Sequence, residues 1–179
     1  MKQSELLEML DFFNKSRVWI FNIHMVKTYF SSENENSIRI SLSRHIKNGI
    51  ILRIAKGIYV NPRSRYIPMF RLEHIASYIR NFRTIYLSFE SVLSECGLIS
   101  QIPMRLTFIS KEKSAVFDTP YGIIEYTKTN KDFNLYGNKF YFSKERNIFI
   151  ATPEQALDDA YRFNRNINLI KEQRKKNDE

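Results

Sequence analysis

Three stretches of the first 50 residues place apolar side chains at the three- and four-residue spacing of helices. The first covers about residues 4–14 and carries Leu6, Leu7, Met9, Leu10 and Phe13. The second covers about residues 22–30, with Asn22 as its predicted N-cap and an inner face of Ile23, Val26, Tyr29 and Phe30. The third has Asn36 as its predicted N-cap, ends at Gly49, and has an apolar stripe of Ile38, Leu42, His45 and Ile46. The pattern predicts three packed helices.

The period of the pattern then changes from helical to alternating. Residues 50–54 and 58–60 are short β-branched runs separated by Ala55, Lys56 and Gly57, which predicts a β-hairpin. Three helices followed by a two-stranded wing is the layout of a winged helix-turn-helix. We therefore predict a winged helix-turn-helix DNA-binding domain over residues 1–62, followed by an irregular, proline-containing stretch that reaches residue 68.

Residues 68–165 read as a second domain in which helical and strand-like patterns are mixed. Helices are predicted over residues 70–80, from an N-cap at Ser88 to about Cys96, and from Thr152, where Pro153 and Gln155 complete a capping-box pattern. Strands are predicted at 105–109, 123–126 and 139–142. Residues 166–179 read as a charged C-terminal tail. The predicted fold class is α+β, an N-terminal winged helix-turn-helix followed by a mixed α+β C-terminal domain.

The charge is concentrated in one part of the chain. The formal net charge is +9, and residues 36–72 contain eight Lys and Arg and no acid. By contrast, residues 66–164 contain 12 basic and 11 acidic residues and are nearly neutral. A basic excess confined to one compact segment is typical of a phosphate-binding surface.

The third predicted helix separates these charges from its apolar stripe. On a helical projection the face opposite the stripe carries Ile40, Ser43, Arg44 and Lys47, with Arg39 at its flank. Arg can read guanine, Ser and Lys can hold phosphate, and Ile can contact a thymine methyl in the major groove. Arg53 and Lys56 of the hairpin are expected to position the DNA backbone, and Arg63 and Arg65 to extend the patch. The alternative for this helix is an ordinary solvated basic face.

The sequence does not indicate a catalytic or metal-binding site. The three His residues lack metal-ligand spacing; His45 is expected in the core, and the lone Cys96 is expected to be a small buried hydrophobe. Glu154, Asp158 and Asp159 lie on one predicted helix, where a helix dipole explains them more simply than a catalytic carboxylate pair. We therefore expect no enzyme activity, no catalytic residue, no metal and no cofactor. An N-terminus without a cleavage site and the absence of an apolar run of about 20 residues favour a cytoplasmic protein away from the membrane.

Three segments resemble the AbiEi family of antitoxins and regulators. Residues 47–60 resemble its wing pattern "xxGhIxRIxrGhYx", and residues 86–103 resemble "YiSheSALshhGLisqvP". Residues 150–159 are similar to "iAtPEKALlD", except that Gln155 stands where the family usually has Lys. The blocks occur in the family's order and, with their spacers, cover about residues 25–162.

The resemblance implies an antitoxin of a type IV toxin–antitoxin, abortive-infection system that acts in phage defence. Its winged helix would repress its own operon by binding double-stranded DNA at the promoter, commonly at inverted repeats. Its C-terminal domain would oppose a nucleotidyltransferase-like toxin without a stable complex. The alternative is a winged-helix transcriptional regulator whose α+β domain binds a ligand or partner and which has no toxin.

Overall fold

The protein is described by a computed structural model that covers residues 1–165 and residue 168. Within these residues the fold is mixed α+β, with six α-helices and two β-sheets. The chain divides into two compact units, one from Met1 to Arg71 and one from Leu72 onward. The charged tail predicted for residues 166–179 lies, apart from residue 168, outside the described residues. No described helix is long and apolar enough to cross a bilayer.

The first unit contains three helices and a small antiparallel sheet. Its elements are α1 (Gln3–Lys15), β1 (Ile20–Asn22), α2 (Ile23–Tyr29), α3 (Glu35–Lys47), β2 (Leu52–Ala55) and β3 (Ile58–Val60). The sheet has the strand order β1-β3-β2, and Phe21 pairs with Tyr59 on β3. The hairpin is therefore confirmed, but strand β1 was not predicted, because three residues between two helices carry no periodic signal of their own.

One apolar core holds the first unit together. The helices and the sheet bury Leu6, Met9, Leu10, Phe13, Phe21, Ile23, Val26, Ile38, Leu42, Ile50, Ile51 and Tyr59. This set contains the predicted stripes of all three helices in large part, so the helical spacing correctly identified the inward faces. Leu7 and Tyr29 are exceptions, because both are exposed; Tyr29 lies at the end of α2 and its ring packs on that of Phe12.

The caps of α2 and α3 are set by asparagines. The Asn22 side chain accepts a hydrogen bond from the backbone N–H of Met25 at 3.0 Å, which confirms its predicted capping role. The predicted cap of α3 at Asn36 is wrong by two residues. Asn34 is the N-cap, and its side chain accepts from the N–H of Asn36 at 2.8 Å. Gly49 follows α3 with φ +68°, the left-handed conformation that ends helices.

The second unit is built on a six-stranded mixed sheet. Its helices are α4 (Arg71–Ile79), which begins at the last residue of the first unit, α5 (Glu90–Glu95) and α6 (Pro153–Arg162). Its strands are β4 (Ile85–Leu87), β5 (Arg105–Ser110), β6 (Ala115–Thr119), β7 (Gly122–Lys128), β8 (Phe140–Ser143) and β9 (Ile148–Ala151). Short 3₁₀-helices occupy Phe82–Thr84 and Phe133–Lys139. The strand order is β6-β7-β5-β4-β9-β8, with β4–β9 and β5–β7 as the parallel pairs.

The helices cover both faces of this sheet. Tyr126 on β7 donates a hydrogen bond to the backbone carbonyl of Ala76 at 2.9 Å, which fixes α4 on one face. Thr107 on β5 points the opposite way, since successive side chains alternate, and it bonds the Ser91 hydroxyl of α5 at 3.0 Å. Tyr86 lies on this second face as well, because it is paired with Ile109 two residues from Thr107. Helix α6 contacts Tyr86 on this second face.

Several predicted elements of this unit need correction. The helix starting at Thr152 and the strands near 105–109, 123–126 and 139–142 are confirmed, whereas β4, β6 and β9 were not predicted. Ser88 is not a helix cap: Phe89, with φ +55°, is the N-cap residue of α5, and the Ser88 hydroxyl is bonded elsewhere. Thr152 caps α6, but Gln155 does not complete a capping box, because its amide donates to Asp159.

Candidate functional site

Helix α3 presents one exposed polar face. Ile40, Ser43, Arg44 and Lys47 are all exposed and recur at three- and four-residue spacing, so they form a single stripe. Ile40 is 71% exposed, which is unusual for an isoleucine in the middle of a helix whose other apolar residues are buried or half-buried. Ile38 and Leu42 fix the opposite face in the core with no exposed surface. The structure thus brings these four predicted site residues together.

Arg39 lies at the flank of this stripe and is held by an acid. Its guanidinium bonds the Glu35 carboxylate at 2.6 Å, one turn earlier on α3, and Lys27 of α2 approaches the same carboxylate at 3.2 Å. Arg39 and Lys27 lower the pKa of Glu35, with the Arg39 hydrogen bond as the first cause. Arg39 is therefore partly neutralised, whereas the Arg44 guanidinium donates, among the described residues, only to the neutral Met1 carbonyl, at 3.3 Å.

The hairpin that follows α3 carries the next two predicted residues on its surface. Arg53 is exposed on β2, where its Nε donates to the Ala55 carbonyl at 3.3 Å, and Lys56 is exposed in the turn. Gly57 closes this turn with φ +74°, and its carbonyl accepts the backbone N–H of Ile23 at 2.9 Å. This bond ties the hairpin to the start of α2, so the turn has a defined position within the unit.

Arg63 and Arg65 are exposed but belong to a different neighbourhood. The side-chain oxygen of Asn14, near the end of α1, accepts the Ser64 hydroxyl at 2.9 Å and the Arg65 backbone N–H at 3.3 Å. Arg63 lines a small cleft beside Leu7 and Asp11 of the same helix. The structure therefore places these two arginines against α1, and not on the exposed stripe of α3.

His45 lies where the pattern of α3 placed it. The ring is 2% exposed, and burial lowers the pKa of His45, so its uncharged form is favoured in the core.

Cys96 was expected to be buried, and this is wrong: it is exposed directly after α5, where the helix ends before Gly97. Burial of part of its surface and the neighbouring Glu95 and Glu154 raise the pKa of the Cys96 thiol. Among the described residues no group of three His, Cys, Asp or Glu is placed to hold a metal ion.

A buried polar cluster in the second unit was missed by the sequence reasoning. Asp159 on α6 is 1% exposed, and its Oδ2 accepts the hydroxyls of Ser88 at 2.7 Å and Tyr86 at 3.0 Å. Its Oδ1 accepts the Gln155 amide at 2.8 Å. Burial raises the pKa of Asp159 despite these three donors. The helix-dipole explanation given for the acids of α6 is therefore wrong for Asp159, which lies in the second turn and is bound to side chains.

Two of the segments that resemble the AbiEi family contribute side chains to this cluster. Tyr86 and Ser88 come from the block over residues 86–103, while Gln155 and Asp159 come from the block over residues 150–159. A signal was present in the sequence, since Ser88 and Asp159 are polar residues within apolar surroundings. Their contact, however, joins positions 71 residues apart and has no local signature.

A further set of ion pairs fixes the helices of this unit. Arg146, in the turn between β8 and β9, bonds Glu73 of α4 and Glu95 of α5, both at 2.8 Å. Arg165 bonds Glu90 of α5 at 3.0 Å and Glu125 of β7 at 2.6 Å. Each arginine joins two separate elements through charge-assisted bonds, which is the arrangement of a structural clamp.

Comparison with known families identifies one match. No curated protein matches the chain. The family model described as "Family of unknown function (DUF6088)" matches residues 14–138, which include α2, α3, the hairpin and the second unit as far as the 3₁₀-helix after β7. The match covers well over half of the sequence, and the protein therefore belongs to the DUF6088 family.

Proposed function

We propose that this protein is a DNA-binding transcriptional repressor whose first unit is a winged helix-turn-helix. In this proposal α3 is the reading helix and the β2–β3 hairpin is the wing. The carrying observation is the exposed stripe of Ile40, Ser43, Arg44 and Lys47 on α3, followed directly by a hairpin with exposed Arg53 and Lys56. An exposed helix face of this composition is suited to base edges in the major groove, and the wing cations are suited to phosphate.

The site residues differ in their proposed roles. Arg44 reads a guanine edge, because its guanidinium is exposed and its hydrogen bond within the described part of the chain is to a neutral carbonyl, and Ile40 contacts a thymine methyl. Lys47, Ser43, Arg53 and Lys56 hold phosphate. Arg39 contributes less, since Glu35 competes for its guanidinium. Arg63 and Arg65, which lie against α1, would act only as an outer part of the basic surface.

We further propose that the repressor is the cytoplasmic antitoxin of a type IV toxin–antitoxin operon that acts in phage defence. It would repress its own promoter at inverted repeats and oppose a nucleotidyltransferase-like toxin through its second unit, without a stable complex. The support is the AbiEi resemblance, together with the fact that its two later blocks supply the four members of the Asp159 cluster. The proposal requires no catalysis, cofactor or metal. The alternative remains a regulator without a toxin.

Two experiments test these proposals separately. The first measures binding of the full chain to the duplex upstream of its own gene and to a scrambled duplex of equal length over a salt series. Equal affinity for both at every salt concentration would contradict the repressor proposal. The second expresses the chain together with any nucleotidyltransferase-like protein encoded beside it. Rescue of growth that requires residues 68–179 supports the antitoxin, whereas a toxic neighbour that is not neutralised contradicts it.

A further inference from the structure

A ladder of aromatic rings crosses one end of the six-stranded sheet. Tyr86 on β4, Phe149 on β9 and Phe142 on β8 are directly paired neighbours in the sheet, so their side chains share one face. Phe140, two residues before Phe142, lies on the same face and stacks on Tyr86 with centroids 5.2 Å apart. Phe133, from the 3₁₀-helix before β8, meets the Tyr86 ring edge-on at 5.1 Å.

This ladder is buried at one end and open at the other. Tyr86 has no exposed surface, whereas Phe142 on the edge strand is 38% exposed. Phe133, Phe140 and Phe149 are half-buried, so no described element covers them completely. Together with Arg83, Asn134 and Gly137 these three rings line an open pocket of about 410 Å³. Half-exposed rings around a pocket are a stacking surface for another flat group.

Two cations lie at this pocket. Arg83 is exposed in its wall. The Lys111 ammonium lies 5.7 Å from the centre of the Phe133 ring and donates to the Lys131 backbone carbonyl at 2.8 Å, so a second cation stands beside that ring. The nearby acid, Asp132, uses one carboxylate oxygen to cap the backbone N–H of Asn134 at 3.1 Å. The rim therefore offers positive charge and amide groups beside aromatic rings.

We propose that the second unit binds single-stranded nucleic acid at this aromatic pocket. An unpaired base stacks among Phe133, Phe140 and Phe149, and Arg83 and Lys111 hold the phosphates on either side. Aromatic faces beside cations are the combination by which proteins hold unpaired strands without sequence preference. A lone phosphate would use one cation, whereas a strand can use both Arg83 in the pocket wall and Lys111 beside the Phe133 ring. This inference does not depend on α3 binding duplex DNA.

The test measures fluorescence anisotropy of labelled 12-nucleotide oligoadenylate, as RNA and as DNA, with the full chain. The wild type is expected to bind at least one of the two, and adenosine monophosphate is expected to compete far more weakly than the unlabelled oligomer. Arg83→Ala should reduce the salt slope of log affinity by about 0.7. Phe133→Leu should weaken binding by about 5- to 150-fold, and Phe133→Tyr should restore it, because stacking needs the ring face.

Lys56→Glu is the matched control in the first unit. It changes the same charge as Arg83→Glu, and the two variants should act on different ligands. Arg83→Glu is expected to weaken binding of the oligoadenylate and leave binding of the promoter duplex unchanged. Lys56→Glu is expected to weaken binding of the promoter duplex and leave binding of the oligoadenylate unchanged. Thermal melting of each variant reports folding. The proposal is overturned if neither oligomer binds, if the mononucleotide binds as tightly as the oligomer, or if folded Arg83→Glu and Phe133→Leu bind like the wild type.

Discussion

The Tyr86 hydroxyl donates a 3.0 Å hydrogen bond to Oδ2 of Asp159, a residue 73 positions further along the chain. The bond connects the central strand β4 to α6 inside the second unit. Ser88 and Gln155 complete the set of donors around the same carboxylate. Because all four side chains are buried, this cluster is expected to determine the stability of the unit and how that stability changes with pH.

Asp159→Ala is expected to destabilise the protein strongly. It leaves the buried hydroxyls of Tyr86 and Ser88 and the Gln155 amide without their acceptor, at a cost of about 2–5 kcal/mol in unfolding free energy. Asp159→Asn should cost much less, because its carbonyl can accept the hydroxyls while the Gln155 amide turns to accept from its NH₂ group. Urea denaturation of both variants measures this. Equal losses in the two variants would contradict the assigned hydrogen bonds.

Asp159 is also expected to make the wild type less stable as the pH rises. Burial raises the pKa of Asp159 above its ordinary 3.8, so the folded state binds the proton more tightly than the unfolded state. This stabilisation is complete below about pH 4 and is lost as the pH rises through the raised pKa. The unfolding free energy of the wild type relative to Asp159→Asn should therefore fall over that range. Denaturation of both at a series of pH values checks it; a constant difference would exclude a raised pKa.

Gln155→Lys should reverse the direction of this pH dependence. It introduces the residue usual in the AbiEi pattern at a position where the present side chain lies 2.8 Å from Oδ1 of Asp159. An ammonium at that distance favours the ionised carboxylate and lowers the pKa of Asp159. The unfolding free energy of Gln155→Lys should then exceed that of the Gln155→Lys/Asp159→Asn double variant at neutral pH. This difference should disappear as the pH falls. Gln155→Met, which removes the amide without adding charge, should not reverse the trend.

Thr152→Ala is expected to affect stability and leave DNA binding unchanged. The Thr152 hydroxyl oxygen accepts the backbone N–H of Gln155 at 3.3 Å and caps α6. Its loss should cost about 0.5–2 kcal/mol, and Thr152→Ser should recover most of this. Thermal melting and promoter binding are measured on the same samples. Weaker promoter binding without a change in melting temperature would show that the start of α6 is a functional surface.

Arg44→Ala should weaken binding to the promoter duplex by about 1–3 kcal/mol and reduce the preference at one base position. The side chain is exposed opposite Ile38 and Leu42, so its removal leaves the core of the first unit intact. Lys128→Ala in the second unit removes the same charge from an exposed side chain and serves as the control. If Arg44→Ala binds promoter and scrambled duplexes like the wild type, α3 is not the reading helix.

Lys56→Ala should weaken all duplexes by a similar factor. Its ammonium is exposed in the turn of the hairpin, where a phosphate contact carries no sequence information. The slope of log affinity against log salt should become less negative by about 0.9. A loss confined to the promoter sequence, with an unchanged slope, would instead assign base contact to the hairpin.

Local sequence signals determined much of the first unit. The helical stripes of α1, α2 and α3, the Asn22 cap, the glycine after α3 and the hairpin all depend on neighbours within a few residues. The exposed face of α3 follows from the same spacing, since a buried stripe leaves the opposite face in solvent. Strand β1 was missed because only its pairing with β3 makes it a strand.

The second unit was decided by contacts between distant residues. Strands β4 and β9 pair with each other from distant parts of the chain, whereas β6 forms a hairpin with β7. The exposed position of Cys96 depends on how α5 packs. The sequence by itself determined the α+β class and the solvent-facing cations of the first unit, because periodicity and charge are local properties. Only the tertiary structure could bring Tyr86, Ser88 and Asp159 together or assemble the aromatic pocket, since strand order and register have no local code.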